Sequence, residues 1–297
     1  MIINIDSSAG FCWGVVQTID KVERTLGECS SKQVYVLGQI IHNPKESERL
    51  AEKGLQTITR EDFDKIDQKN SVVVIRAHGE PPTTYEKARE SNIQLIDATC
   101  PLVKALQMTV KKFYDEGWQI VIFGKHDHAE VIGLRGVCND KCLVVKSIED
   151  VKQKIDINRK TVLISQTTMD KPTFCKLSDE VRNLFKEKYA EKLDEYFITK
   201  NTICKFVSRR EQKLIDFAKQ HELVIFVAGR NSSNGKILYE IANKANPNTI
   251  FIEDIEELKI EELSKYSSIG ITGATSTPQW YMEKLKDILE NKFNKGS

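Results

Sequence analysis

Short apolar runs alternate along this chain with longer stretches in which apolar residues recur every three or four positions. The first pattern predicts buried strands, the second amphipathic helices. The segment from Cys100 displays the order most plainly. Pro101 opens a helix, and Leu102, Val103, Leu106, Val110 and Phe113 form its apolar stripe, ended at Gly117. The strand QIVIFG (119–124) follows, then the polar loop KHDHAEVIGLRG turning into a helix. CLVVKS (142–147), the acidic helix SIEDVKQKI and the strand TVLISQTT (161–168) come next. A charged helix over 173–193 and the run EYFITK (195–200) lead to Cys204.

The same order occurs twice more. From Cys12, a stripe of Val15, Val16, Ile19, Val22 and Leu26 precedes VYVLG (34–38) and QIIHNP. A helix over 45–53, LQTIT, the acidic REDFDKI, the strand SVVVIRAHG (71–79), a helix over 83–91 and IQLID complete it. From Cys204, Val207, Leu214, Ile215 and Ala218 precede LVIFVAG (223–229) and RNSSNG. TIFIED, the acidic IEELKIEEL, SSIGITGATSTP (267–278) and a last helix, Gln279–Phe293, follow. The fourth strand of this copy is missing after the last helix, and IINI (2–5), ahead of Cys12, is positioned to supply it. A repeated order of this kind governs the whole fold. Strands alternating with helices imply parallel sheets. The expected architecture is three pseudo-symmetric α/β domains: 13–99, 100–203, and 204–297 closed by 1–12.

Composition narrows the function. The 297 residues carry a net charge of +1, which speaks against a nucleic-acid partner. No apolar run is long enough to span a membrane. The start, MIINIDSSAG, lacks the basic and apolar regions of a signal peptide. The expected location is therefore cytoplasmic. In a reducing compartment the seven cysteines are thiols or ligands rather than disulfides.

Cys12, Cys100 and Cys204 occupy matching repeat positions, each ahead of a helix and spaced by close to a third of the chain. Helix N-termini favour the thiolate, the ligating form. Three thiolates suit a zinc ion or an iron–sulfur cluster, and a [4Fe–4S] cluster with three cysteines would keep one iron open. The competing reading is three buried small side chains. Ligands in parallel sheets bind at the carboxyl ends of strands. Those ends carry His42, His78, His126 and His128, with Thr167, Thr168, Ser232, Ser233, Asn234 and Ser276, a set suited to phosphate oxygens. His126 is the weakest member, and His221 reads as a surface helix residue. Glu130, two residues from His128, is a candidate proton donor, or a first-turn carboxylate favoured by the helix dipole. Cys138 and Cys142, like Cys29 and Cys175, read as packed thiols.

In order, GFCWGV, HN, RAHGE, DATCPLV, HAEV, QTT, NTIC, NSSN and STPxW resemble the LytB/IspH family of 4-hydroxy-3-methylbut-2-enyl diphosphate reductases over nearly the whole chain. The resemblance implies a trefoil of α/β domains around one oxygen-sensitive [4Fe–4S] cluster held by Cys12, Cys100 and Cys204. It implies reductive dehydroxylation of an allylic hydroxy-diphosphate to isopentenyl or dimethylallyl diphosphate. His42, His78, His128, Ser232, Ser233, Asn234 and Ser276 would hold the diphosphate. Thr167 would contact the substrate hydroxyl side, Glu130 would supply the proton, and a ferredoxin or flavodoxin the electrons. The chain departs from the usual family pattern at Trp13, at Lys205 to Ser208 and at Thr275. Outside the family, the competing enzyme reading is a zinc-dependent hydrolase of a phosphorylated substrate, using the histidines and Glu130.

Overall fold

A computed structural model describes residues 1–293, apart from the side chains at 207–209, so Val207 of the predicted stripe lies outside the described residues. The chain opens with β1 (Ile2–Ile5), α1 (Trp13–Glu28), β2 (Gln33–Leu37), α2 (Pro44–Glu52), β3 (Leu55–Ile58), β4 (Ser71–Ile75), α3 (Pro82–Glu90) and β5 (Gln94–Asp97). After Cys100 come α4 (Pro101–Asp115), β6 (Gln119–Phe123), α5 (Ala129–Val137), β7 (Cys142–Val145), α6 (Ile148–Lys154), β8 (Thr161–Ser165), α7 (Lys171–Tyr189), the short α8 (Leu193–Tyr196) and β9 (Phe197–Lys200). After Cys204 come α9 (Lys205–Lys219), β10 (Leu223–Val227), α10 (Ser233–Ala245), β11 (Thr249–Ile252), β12 (Ser268–Gly273) and α11 (Gln279–Phe293).

These elements divide into two compact units. The first takes residues 1–30, 38–57 and the segment from Lys205 onward; the second takes 31–37 and 58–204. In the first unit the sheet order is β11-β10-β12-β1. The expected closure through the N-terminus is present: β1 pairs parallel with β12, Ile2 opposite Ser268 and Ile5 opposite Ile271. In the second unit one sheet runs β7-β6-β8-β9. The other is ordered β3-β2-β4-β5, and the division between units falls within β3. The three orders are the same, with the second strand of each repeat outermost and the fourth at the opposite edge.

Burial on both faces is what makes the central strands continuous apolar runs. All five residues of β4, β6, β8 and β10 are buried. In the first unit, Ile225, Val227, Ile269 and Ile271 pack with Met282, Leu285 and Leu289 of α11. Phe226 and Ala228 face the other way, against Leu214 of α9 and Leu238 of α10. The second unit repeats this: Val121, Phe123 and Leu163 pack with α7, and Ile120, Ile122 and Ile164 with α4 and α5.

Several expectations need correction. REDFDKI forms turns, because the Asp62 carboxylate accepts from the Thr59 amide and hydroxyl and closes the chain locally. IEELKIEEL forms only short 3₁₀ turns; Asp254 and Glu257 build a capping box around three residues, and Leu258 is already extended. Val16 and Leu102, placed in apolar stripes, are exposed in the first turns of α1 and α4. His221 is buried, its Nδ1 bonded to the Phe217 carbonyl and its ring against Phe217. Cys175 is exposed, whereas Cys138 is fully buried at the end of α5 as expected.

Candidate active site

One hydrogen bond recurs in all three sheets. The amide of Cys100 donates to the Ala77 carbonyl at 3.0 Å, that of Cys204 to Thr167 at 2.9 Å, and that of Cys12 to Thr275 at 3.1 Å. In each sheet the acceptor lies two residues beyond the end of the third strand. Each cysteine is thereby tied to the loop that carries the polar motif: RAHGE, QTT and GATSTP in turn. Cys12 and Cys100 occupy the N-cap positions of α1 and α4. Cys100 differs from expectation in one respect. Burial pushes its thiol above the ordinary value, and the amides of Leu102 and Val103 only partly offset that. The charges of Cys204 and Glu130, both within electrostatic reach, push the same way.

Glu130 is the centre of the second unit's polar cluster. It is 1% exposed in the first turn of α5. One carboxylate oxygen accepts from the Thr167 amide at 2.7 Å and the other from the Thr167 hydroxyl at 2.6 Å. Desolvation outweighs both bonds and lifts its carboxyl to about 7. A carboxyl poised there can hold a proton near neutrality and give it up. Thr167 thus joins the acid to Cys204 through its own backbone.

His128 caps α5, and its Nδ1 accepts from the Glu130 amide at 3.2 Å. That fixes the tautomer: Nε2 carries the proton and can donate to an anion. The His78 ring meets the His128 ring edge to face, with centroids 5.4 Å apart. His126 is an exposed residue beside Asp127 and Arg135 and takes no part in this cluster. Glu80 of RAHGE is buried and serves Arg60 and Arg76.

The first unit carries the remaining polar residues. Ser232 caps α10, its Oγ accepting from the Gly235 amide, and Ser233 and Asn234 form the first turn. The start of that helix supplies a positive dipole end and amide donors. Asn234 is 4% exposed. Its Oδ1 accepts from the Thr275 amide and hydroxyl at 3.0 and 2.8 Å, which leaves Nδ2 with no partner among the described residues. A buried orphan donor at a helix start is what an anion site provides. Thr275 accordingly turns the amide of Asn234 one way round. Ser276 Oγ lies 3.5 Å from the His42 carbonyl, at the edge of hydrogen-bond range.

The HN loop is held by residues for which sequence reasoning assigned no role. Asn43 caps α2 by accepting from the Glu46 amide. Glu46 is fully buried, with Arg49 on one side and the Trp280 indole N–H donating at 2.8 Å. Trp280 ends the STPxW motif, so one motif braces another. Gly229 lies under the same loop. A Cβ there would stand 2.2 Å from the His42 carbonyl oxygen. Gly229→Ala should therefore force the loop outward and cost about 1–3 kcal/mol of overpacking. An unchanged denaturant midpoint would show that the loop does not rest on this position.

Taken together, the fold and these clusters define a parallel α/β protein with a buried acid, two anion-competent helix starts and three equivalent cysteines. The family model described as LytB protein matches residues 3–290. The 4-hydroxy-3-methylbut-2-enyl diphosphate reductase of Chloroherpeton thalassium is 47% identical, covering 99% of this chain and 98% of its own. That of Chlorobium phaeovibrioides is 44% identical, over 99% of this chain and 100% of its own. Among solved structures, an (E)-4-hydroxy-3-methyl-but-2-enyl diphosphate reductase described as the terminal enzyme of the non-mevalonate pathway superposes with a TM-score of 0.71. It is 34% identical, over 98% of this chain and 100% of that one. The Plasmodium falciparum reductase superposes at 0.83 with 26% identity, over 98% of this chain and 88% of that one. This chain belongs to the LytB protein family. Among the described residues no helix is long and apolar enough to cross a membrane.

Proposed function

We propose that this chain removes the hydroxyl of 4-hydroxy-3-methylbut-2-enyl diphosphate reductively, giving isopentenyl and dimethylallyl diphosphate as the last step of the non-mevalonate route to isoprenoid precursors. It is an oxidoreductase that consumes two electrons and two protons and releases water. The family names support the substrate. The observation that carries the chemistry is Glu130: a buried carboxyl lifted to about 7 and clasped by Thr167. The zinc-hydrolase alternative has no support in the relatives.

Cys12, Cys100 and Cys204 would hold the iron–sulfur group. Their fit rests on the repeated amide-to-carbonyl bond, which sets each thiol at the same place in its repeat. When bound, a [4Fe–4S] cluster with three cysteine ligands supplies low-potential electrons and one open iron as a Lewis acid for the hydroxyl. The chain's own residues do the rest. In this reading His42, His78, His128, Ser232, Ser233, Asn234 and Ser276 bind the diphosphate oxygens. Thr167 orients Glu130 and contacts the hydroxyl side of the substrate, and Glu130 delivers a proton as water leaves. The domain division at 13–99, 100–203 and 204–297 with 1–12, and a cytoplasmic setting, belong to the same reading.

Metal and sulfide analysis of anaerobically prepared protein tests the cofactor. Iron and sulfide near about four each per chain are expected. Zinc without sulfide would overturn the reading in favour of a hydrolase.

A further inference from the structure

Cys138 and Cys142 take no part in the proposed chemistry, yet the chain bends to bring them together. Helix α5 ends at Cys138, which is fully buried. Asn139 and Asp140 then take left-handed backbone, with φ of 52° and 57°. Asparagine and aspartate adopt that conformation more readily than other side chains. The Asp140 amide bonds to the Arg135 carbonyl and the Lys141 amide to the Cys138 carbonyl, each at 2.9 Å. The chain thus reverses, and Cys142 enters β7 opposite Ile120. Both cysteines pack in one apolar cluster with Ile120 and Leu134.

The two sulfur atoms meet there. The Cys142 thiol is hydrogen-bonded to the Cys138 sulfur, whose own S–H is directed at the Leu134 and Arg135 carbonyls at 3.4 and 3.3 Å. The bond between the sulfurs draws the Cys138 thiol below its ordinary value and, together with burial, pushes Cys142 above it. Arg135, paired with Asp140 at 2.7 Å, favours the thiolate, and Asp140 opposes it. Access is one-sided. Cys142 is half-buried and lines a surface cavity of about 700 Å³ with Trp118, Lys141 and Arg159. A reachable thiol backed by a buried one is the arrangement of a dithiol that exchanges with disulfides.

We propose that Cys138 and Cys142 close to a reversible disulfide by exchange with a small-molecule disulfide, Cys142 attacking and Cys138 resolving. Cys142 passes its proton to the Cys138 sulfur as it attacks, forms a mixed disulfide and releases one small thiolate. Cys138 gives that proton to the departing thiolate, attacks the Cys142 sulfur and releases the second. The protein loses two electrons and two protons, and the small disulfide takes them up as two thiols. The pair lies at the opposite end of α5 from His128, about 15 Å along the helix axis, so closing it leaves Glu130 in place.

The test is anaerobic incubation of the holoenzyme with oxidised glutathione, quenching with iodoacetamide, and tryptic mapping without reductant. Cleavage after Arg135, Lys141 and Lys146 puts the two cysteines on separate peptides, 136–141 and 142–146. They should appear joined, two hydrogens lighter than their sum, and should separate again on treatment with dithiothreitol. Iron content should stay that of the untreated protein. In Cys138→Ser the glutathione should remain on Cys142, with no partner to displace it. In Cys142→Ser the buried Cys138 should be recovered as a free thiol. Recovery of both residues as free thiols in the parent would overturn the proposal. Glutathione left on Cys142 in the parent would overturn it equally, because Cys138 would then have failed to resolve the adduct.

Discussion

Glu130→Gln is expected to lower kcat by about two to four orders of magnitude and to leave KM within a few-fold. The substitution preserves the local geometry. The glutamine carbonyl can accept from the Thr167 amide, and its NH₂ can donate to the Thr167 hydroxyl, replacing both bonds seen with the carboxylate. What it removes is the transferable proton. With the carboxyl lifted to about 7, the parent's kcat should fall as pH rises through that value, because the acid is then ionised. The variant should lack that limb. Thr167→Val removes a bond that favours the ionised form, so it should move the limb to higher pH.

The same residue makes a stability prediction with a fixed sign. The folded carboxyl holds its proton up to about 7, whereas the unfolded chain releases it near the ordinary glutamate value of 4.5. The protonated group is therefore tolerated at low pH, and stability is lost as pH rises from the unfolded value through the folded one. The full effect is on the order of 3 kcal/mol. The glutamine variant carries no such charge and should gain stability relative to the parent above pH 7. Parallel stability profiles for the two proteins would show that Glu130 is an ordinary carboxylate.

Cys100→Ser is expected to yield a folded chain with depleted iron and sulfide and only background turnover. Folding should survive, because serine is a favoured N-cap and Cys100 occupies the N-cap of α4. The centre should not, because a hydroxyl is a hard, poorly ionised replacement for a soft thiolate. Burial already holds the Cys100 thiol above its ordinary value, so ligation must displace a proton there. Cys138→Ser is the control. Its sulfur donates to the Leu134 and Arg135 carbonyls at the end of α5 and should be replaceable without loss of iron. Full iron content and activity in Cys100→Ser would remove Cys100 from the ligand set.

The repeat was legible because its central strands are buried on both faces, so each stood out as an unbroken apolar run. Closure by residues 2–5 followed from counting strands, and β1 beside β12 bears it out. The start of α4 was legible because Pro101 marks it. The acidic segments after β3 and β11 misled because helical composition cannot overcome local side-chain bonds in so short a piece, as Asp62 and Asp254 demonstrate. The polar residues proposed to meet a ligand sat in motifs and could be named. Residues that act on those residues could not. Trp280 reaches Glu46 across more than 200 positions, and the need for Gly229 exists only because the His42 backbone passes over it. The buried position of His221 was hidden for the same reason, since it depends on Phe217 and Asn4 in three dimensions.

The most direct measurement is oxidation of reduced viologen by the anaerobic, iron-loaded chain on addition of 4-hydroxy-3-methylbut-2-enyl diphosphate. Two viologens should be oxidised for each isopentenyl or dimethylallyl diphosphate formed. A chain carrying iron and sulfide that oxidises no viologen with this substrate would contradict the assignment.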